Sequence, residues 1–244
     1  MGYRHPIRET VILNGAEGVV KNPYRLNLTQ TASGFLALIC VIAATHLRAQ
    51  TLTAQAFAAR IDKHYNALHS LSVHFTQKYD GMGMHREESG ILLLKKPGKM
   101  RWTYAQPAGK LFVLDGRNAY FYSPGDTEIP RVTAKKLDDL RSPLRFLLGH
   151  TQLAKELTNL QITPAENGAY TLSGIPKNME QRIASFTITA NADGVIQSMR
   201  IEETDGAINT FTFSDEHPNA PATDADFVFH TPAGAHIIEG MPPV

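Results

Sequence analysis

The clearest pattern in the chain is the alternation of apolar and polar residues between Gly90 and Pro124. A period of two is typical of a β-sheet that has one covered face and one face in water. The pattern predicts four short strands, at Gly90–Lys96, Lys99–Tyr104, Lys110–Leu114 and Asn118–Ser123. In the second strand the large apolar residues share one face and the other residues share the opposite face: Met100, Trp102 and Tyr104 against Lys99, Arg101 and Thr103. An apolar face of this size must be covered by another part of the chain.

Helical spacing appears before and after this sheet. Thr53 to His69 carries apolar residues at intervals of three or four, which predicts an amphipathic helix lying on the sheet. Thr53 can cap the start of the helix, because its hydroxyl can accept from a free N–H of the first turn. After Pro124, brief apolar helices are expected at Ala134–Leu140, Pro143–Leu148 and Thr151–Leu157. They interrupt an otherwise β-rich chain, so they are candidates to cover the apolar face.

The remainder of the chain predicts an antiparallel meander. Asn-Gly and Asp-Gly pairs, which tolerate the positive φ of tight hairpin turns, separate the apolar runs. These pairs are Asp115-Gly116, Asn167-Gly168, Asp193-Gly194 and Asp205-Gly206. Further strands are expected at Leu71–Tyr79, Ile129–Thr133, Leu160–Thr163, Tyr170–Ser173, Arg182–Ala190, Val195–Glu203, Asn209–Ser214 and Asp226–Phe229. About eleven strands without a fixed repeat or a βαβ rhythm favour an α+β fold with an open, curled antiparallel sheet.

The first 49 residues have the features of an export signal. Arg25 precedes an apolar run, Ala32 to Thr45, and the small residue Ala49 precedes Gln50. The run is shorter than the 18 or so residues that a membrane-spanning helix needs. Cleavage is therefore predicted near Ala49-Gln50, which leaves one exported domain at residues 50–244. An uncleaved anchor and a core helix are the alternatives.

Cysteine content and charge restrict the chemistry of the processed chain. The single cysteine, Cys40, follows Ile39 inside the apolar run, whereas a lipidation site requires a small residue there. The processed chain would then have no thiol for a disulfide or a nucleophile. The formal net charge is +1, and removal of residues 1–49 leaves 19 basic and 21 acidic residues, or −2. Neither value favours binding to nucleic acid.

No catalytic or metal-binding motif stands out. The chain has no Gly-x-Ser-x-Gly turn, no phosphate loop and no His-Glu-x-x-His helix. His64, His69 and His74 are five residues apart, so the first two cannot form the i, i+4 pair that binds a metal on one helix face. The stretch His85–Glu88 is better interpreted as a solvated strand end than as a metal site. The sequence predicts a protein that is not an enzyme and uses no cofactor or metal.

The motifs of the sheet, taken in order, resemble the LolA family of periplasmic lipoprotein carriers. The similar segments are Phe75-Thr76-Gln77, Gly90 with Lys96-Pro97, Arg101-Trp102 with Tyr104 and Pro107, Val113-Leu114-Asp115-Gly116, Ser142–Leu148, and Phe227–Gly234. They cover nearly all of the chain after about Gln50. The resemblance implies an incomplete β-barrel whose concave side is closed by helices.

The resemblance also implies a function and its residues. A monomeric carrier would take acylated lipoproteins from an inner-membrane lipoprotein-releasing ABC transporter to an outer-membrane acceptor, where one is present. The acyl chains of the bound lipoprotein would lie in a cavity lined by Phe75, Leu92, Leu94, Met100, Trp102 and Tyr104. The expected lid consists of Pro143, Leu144, Phe146, Leu147 and Leu148. An ordinary core is the other interpretation of the apolar residues.

Lys96 is the expected latch of this lid. By parity it ends the row of Leu92 and Leu94, at a position where the family commonly has an arginine. A lysine offers a point charge in place of a planar fork, and it can instead extend its ammonium group to water. Arg101 is a second candidate, although parity places it on the opposite face.

Three other functions are compatible with parts of the sequence. The main alternative is an envelope sensor or regulator on the same half-barrel, similar to RseB, that acts through protein partners. An outer-membrane acceptor would require a lipidated cysteine, which the Ile39-Cys40 context disfavours. A hydrolase would require a nucleophile with a base, and no such motif is present.

Overall fold

The structure is a computed structural model that describes residues 52–138 and 152–240. The helices are α1 (Ala54–Asn66), α2 (Ala134–Asp138) and α3 (Leu153–Glu156). The strands are β1 (Ser70–Gly81), β2 (Met84–Lys95), β3 (Lys99–Gln106), β4 (Leu111–Leu114), β5 (Asn118–Tyr122), β6 (Glu128–Thr133), β7 (Leu157–Pro164), β8 (Tyr170–Pro176), β9 (Ile183–Ala190), β10 (Ile196–Glu203), β11 (Ile208–Pro218) and β12 (His236–Glu239).

These twelve strands of the described residues form one sheet. Their order is β12-β6-β5-β4-β3-β2-β1-β11-β10-β9-β8-β7, so the sheet is open, with β12 and β7 at its edges. All neighbours are antiparallel except β12, which pairs in parallel with β6. The predicted α+β class with an open antiparallel sheet is confirmed.

Helix α1 lies against the sheet with its apolar residues inward. Thr53 caps it as predicted, because its hydroxyl accepts from the backbone N–H of Ala56 at 3.1 Å. The helix ends at Asn66, three residues before the predicted end, and the N–H of Leu68 then donates to the carbonyl of Tyr65. Its buried residues are Ala54, Phe57, Ala58, Ile61 and Tyr65.

The predicted hairpin turns contain the expected left-handed residues. Asn167 and Gly168 have φ of 54° and 74°, and Gly206 has φ of 89°. Gly194 has a second constraint, because a Cβ atom there would lie 2.8 Å from the backbone of Arg60. The β9–β10 turn therefore packs closely on helix α1.

The C-terminal prediction was wrong in one respect. Asp226–Phe229 was expected to be a strand, but Asp224–Phe227 forms a short 3₁₀ turn. Thr223 and Asp226 form a capping box at its start, with Asp226 Oδ2 accepting from both the backbone N–H and the hydroxyl of Thr223. Strand β12 occurs later, at His236–Glu239, where no strand was expected from the sequence.

Two of the three predicted short helices are seen at least in part. Helix α2 begins at Ala134 as expected, and α3 lies within the predicted Thr151–Leu157. The predicted helix at Pro143–Leu148 and the export signal at 1–49 lie outside the described residues. Within residues 52–138 and 152–240, no helix is long and apolar enough to cross a membrane. The same residues contain no cluster of three His, Cys, Asp or Glu that could hold a metal ion.

Candidate binding site on the inner face of the sheet

The face of the sheet that carries helix α1, called the inner face here, contains all the residues predicted to line a cavity. Phe75, Leu92, Leu94, Met100 and Trp102 are each at most 5% exposed, and they belong to one core cluster with the helix residues. Tyr104 packs against this cluster and is half-buried. Alternation of side chains along β1, β2 and β3 brings these residues together.

Aromatic rings form a continuous group on the inner face. The ring of Phe75 lies edge-on to Trp102 at 4.5 Å and to Tyr104 at 5.2 Å between centroids. Trp102 also contacts Phe211 at 5.7 Å, and Phe211 stacks with Phe213 at 6.3 Å. Edge-to-face pairs of this kind contribute about 0.5–1.5 kcal/mol each beyond the area they bury.

Part of the aromatic surface is not fully covered. Several aromatic residues of the inner face are half-buried. The ones on β11, β3, β4 and β5 are called the aromatic tract: Phe213, Tyr104, Phe112 and Phe121. Two of them, Phe112 and Phe121, contact each other across β4 and β5 at 5.0 Å. The tract extends from β11 to β5, so apolar surface remains accessible across the middle of the sheet.

A small cleft lies beside the end of helix α1. It is lined by Tyr65, Leu71, Val73, Ile196, Met199, Phe213 and Glu216. The space inside it fits about one water molecule. This cleft is therefore too small for an acyl chain.

Lys96 binds helix α1. Its ammonium nitrogen donates to the backbone carbonyl of Tyr65 at 2.5 Å, in the last turn of the helix. Burial lowers the pKa of Lys96, because the charged form loses hydration. A cation near the C-terminal carbonyls of a helix is favourable. In the part of the chain that the structure describes, Lys96, the predicted latch, thus connects the end of strand β2 to helix α1.

A second polar contact holds the same end of α1. The carboxylate of Glu216 accepts from the Tyr65 hydroxyl at 2.8 Å and lies 2.7 Å from the Nε2 atom of His64. The Tyr65 hydroxyl in turn accepts from the buried N–H of Ile196 at 3.0 Å. Burial and the Glu216 carboxylate raise the pKa of Tyr65 far above its usual range. Helix α1 is therefore tied to β10 and β11 by directional hydrogen bonds as well as by packing.

Arg101 lies on the opposite, outer face, as parity predicted. Its guanidinium group donates to the carbonyl of Asp226 at 3.1 Å. The Asp224 carboxylate lies 2.7 Å from the ammonium group of Lys95 and 2.9 Å from that of Lys99. These two lysines lower the pKa of Asp224 to about 2. Arg101 therefore helps to hold the C-terminal segment and does not reach helix α1.

Apolar contacts continue along this segment. The ring of Phe229 stacks on Tyr120 of β5 at 4.9 Å and 5°. Phe227 and Val113 are buried but lie outside the main core cluster. The segment 219–235 thus covers the outer face of β2–β5 before β12 joins the sheet edge.

A row of polar residues, which the sequence analysis missed, borders the aromatic tract. The ammonium group of Lys110 lies 2.6 and 2.7 Å from the two carboxylate oxygens of Glu88, and 4.5 Å from the centre of the Tyr104 ring. The amide of Gln77 donates to Asn209 at 3.1 Å. Burial, with a smaller effect of Glu88, raises the pKa of Tyr104 well above its usual range. Glu88 is four residues before Leu92 in the same strand, and this even spacing could have placed it on the inner face.

Comparison with known proteins identifies the family. The family model described as "Outer membrane lipoprotein carrier protein LolA" matches residues 66–230. An "Outer-membrane lipoprotein carrier protein" of Nitrosomonas europaea is 30% identical over 155 residues, which cover 63% of this chain and 73% of that protein. The chain belongs to the LolA family. A relative with the same description from Chromobacterium violaceum is 27% identical over 173 residues, or 70% of this chain and 82% of the relative.

Solved structures agree at the level of the fold. An uncharacterized conserved protein of Thermus thermophilus has a TM-score of 0.50 and 12% identity, covering 77% of this chain and 99% of that one. A LolA superfamily protein of Nitrosomonas europaea has a TM-score of 0.41 and 11% identity, covering 73% and 99%. The MucA/MucB complex of Pseudomonas aeruginosa gives 0.41 and 15%, covering 78% and 67%. At these identities, only the fold is comparable.

Proposed function

We propose that this LolA-family protein is a periplasmic carrier that binds the acyl chains of lipoproteins on the inner face of its sheet. Family membership over residues 66–230 is the main support. The second is the half-buried aromatic tract, which offers apolar surface to a ligand. Each methylene that leaves water contributes about 0.8 kcal/mol, so an acyl chain gains much from such a surface.

The proposal includes the cavity and lid expected from the sequence. The acyl chains would displace apolar contacts around Phe75, Leu92, Leu94, Met100 and Trp102. The lid would consist of Pro143, Leu144, Phe146, Leu147 and Leu148, which lie outside the described residues. A lid that covers the empty site competes with the ligand, because apolar surface is buried in both states. Loading would then need energy from the inner-membrane transporter, while delivery to an outer-membrane acceptor could proceed downhill.

The test uses the only tryptophan of the chain, Trp102, which lies inside the proposed site. A diacylated peptide with brominated acyl chains is titrated into the processed protein, and quenching of tryptophan fluorescence is recorded. Bromine quenches at short range, so binding on the inner face gives saturable quenching. The same peptide without bromine controls for indirect changes in fluorescence.

Matched variants on the two faces locate the ligand. Phe112→Ser removes part of the aromatic tract and should weaken quenching. Ile91→Ser changes a 45% exposed residue on the outer side of β2 and should leave the quenching unchanged. Wild-type protein that shows no quenching, or equal loss in both variants, would contradict the proposal. Leu147→Glu tests the lid, and normal lipoprotein capture by this variant in a pull-down would exclude that assignment.

Purification from the cell envelope separates a carrier from a sensor. Acylated peptides that copurify with the protein, detected by mass spectrometry, support the carrier. A lipid-free protein bound in stoichiometric amount to a membrane protein would support the sensor and contradict our proposal.

A further inference from the structure

On the inner face, the aromatic tract borders a row of polar side chains that crosses β11, β1 and β2 and ends just before β4. The row consists of Asn209, Gln77, Glu88 and Lys110. Glu88 pairs with Gln77 in the β1–β2 register, just as Gly90 pairs with Phe75. Because side chains alternate between faces, Gln77 and Glu88 lie on the same face as Phe75. On β1 the inner face therefore passes from the aromatic Phe75 to the polar Gln77, which pairs with Phe211 of β11.

Lys110 continues this row on the other side of β3. Its carbonyl accepts from the N–H of Tyr104 at 3.1 Å, which places the two residues opposite each other. Phe112, two residues further on, belongs to the aromatic tract. The ammonium group of Lys110 passes over the Tyr104 ring and reaches Glu88, two strands away. The ion pair therefore lies directly against the apolar surface.

The pair is shielded from solvent but is not saturated with hydrogen bonds. The side chains of Glu88 and Lys110 are 14% and 27% exposed, whereas the Lys78–Glu87 pair of the same hairpin is 65% and 63% exposed. An ammonium group has three N–H donors and a carboxylate about four acceptor positions, and the two contacts between Lys110 and Glu88 use only some of them. The row thus offers spare donors and acceptors without net charge, next to an apolar surface.

On the basis of the proposed function, we propose that this polar row binds the ester and amide groups that join acyl chains to a polypeptide. Chains lying on the aromatic tract would bring their carbonyl groups to its border. A carbonyl placed there without a donor loses its hydrogen bonds to water, which is unfavourable. Lys110 donates to such a carbonyl, and Glu88 accepts from the adjacent peptide N–H.

The opposite charges of Glu88 and Lys110 favour a ligand group that carries no net charge. The carboxylate of Glu88 lies 2.6 Å from the ammonium group of Lys110, so a phosphate would meet a negative charge next to the positive one. Esters and amides carry a dipole and no net charge, so the pair can contact both of their ends. The row therefore selects an uncharged linkage over a phosphate group.

The experiment compares two ligands in the tryptophan-quenching assay. One is a cysteine peptide with two brominated chains attached through esters, and the other has the same chains attached through ethers, which have no carbonyl. Lys110→Met keeps an unbranched, flexible side chain that is one atom shorter and removes its donors. We expect this variant to reduce the affinity for the ester ligand about three- to tenfold and the affinity for the ether ligand less than about twofold. An equal effect on both ligands would overturn the proposal.

A charge swap distinguishes recognition from a structural ion pair. The double variant Glu88→Lys/Lys110→Glu restores the pair but exchanges donor and acceptor. Recognition predicts that its affinity for the ester ligand stays reduced, whereas recovery to the wild-type affinity would overturn it. Lys78→Met, which breaks the exposed ion pair, is the matched control and should bind like the wild type. Urea unfolding of each variant shows whether weaker binding of the ligand is caused by a loss of folded protein.

The last comparison uses a phospholipid, because its acyl chains are also attached through esters. A brominated phosphatidylglycerol with the same chains should bind more weakly than the ester peptide. Tighter phospholipid binding that Lys110→Met abolishes would identify a phosphate site and contradict the proposal. If the wild type binds no ligand at all, the proposed function fails. If it binds both peptides and Lys110→Met changes neither, only the polar row is excluded.

Discussion

The substitution Tyr65→Phe tests how strongly polar contacts hold helix α1. It keeps the ring in place, so it creates no cavity, and it removes only one hydroxyl group. That hydroxyl donates to Glu216 at 2.8 Å and accepts from the buried N–H of Ile196 at 3.0 Å. The variant leaves this N–H without its partner and leaves Glu216 with one fewer donor.

The expected magnitude follows from these two contacts. A buried group left unsatisfied costs about 1–3 kcal/mol, and a hydrogen bond to a charged group contributes about 1.5–3 kcal/mol. Glu216 retains its contact with His64, so the two effects do not simply add. We expect the free energy of unfolding to fall by about 2–4 kcal/mol. With a urea slope of about 2 kcal/mol per molar, the unfolding midpoint falls by about 1–2 M.

Urea unfolding monitored by far-UV circular dichroism measures this change. Tyr79→Phe is the matched control, because the Tyr79 ring packs under Arg86 at 5.0 Å and is half-buried. The control should change the free energy of unfolding by no more than about 0.5 kcal/mol. Equal midpoints for Tyr65→Phe and Tyr79→Phe would refute the reasoning.

A double-mutant cycle isolates the contact itself. A water molecule entering the small cleft beside Tyr65 could replace part of the lost hydrogen bonding. Combining Tyr65→Phe with Glu216→Gln separates the pairwise contribution from this relaxation. We expect a coupling of about 1 kcal/mol or more, since residues in one network are not independent. Full additivity would mean that the two side chains do not stabilise each other.

Substitutions at three other residues test further contacts by unfolding. Lys96→Met should lower the free energy of unfolding by about 1 kcal/mol, and Lys96→Arg by less, because arginine can still donate to the helix carbonyl. Asp224 has its pKa lowered to about 2, so its stabilisation is present above the usual value of 3.8 and disappears as the pH falls toward 2. Asp224→Asn should therefore flatten the decline in stability over this range. The raised pKa of Tyr104 means that only the unfolded chain loses this proton just above pH 10. Tyr104→Phe should therefore reduce the loss of stability between pH 10 and 12.

The inner face of β1–β3 was predictable from the sequence. Alternation placed Met100, Trp102 and Tyr104 on one face of their strand, because the side-chain period of a strand is two. The resemblance to the family added Phe75, Leu92 and Leu94 to that face. Alternation also placed Arg101 on the other side, where it meets Asp226. Local patterns of this kind do not depend on the pairing of distant segments.

Long-range features could not be read in the same way. Glu88 and Lys110 meet over an intervening strand, after a register shift between Ser89 and Gly90 in the β2–β3 pairing. Only the assembled sheet determines that meeting. Strand β12 pairs in parallel with β6 more than 100 residues earlier, and its four residues have little alternation of their own. The 3₁₀ turn was different, since the spacing of Thr223 and Asp226 is a capping signal that the apolar Phe227–Phe229 obscured.

The two faces of the sheet are covered in different ways, and this difference bears on the carrier proposal. Segment 219–235 of the C-terminal part is held on the outer face by ion pairs from Lys95 and Lys99 and by a stacked ring. On the inner face, Lys96 and the Tyr65–Glu216 contact fix helix α1 at one end. Apolar contacts have no preferred direction, so a helix held by them alone could slide when an acyl chain enters. Hydrogen bonds are directional, so they can keep α1 in place while apolar contacts on the same face are exchanged. Because Lys96 still holds the same end of α1, Tyr65→Phe should weaken the fold while the folded fraction still binds acyl chains.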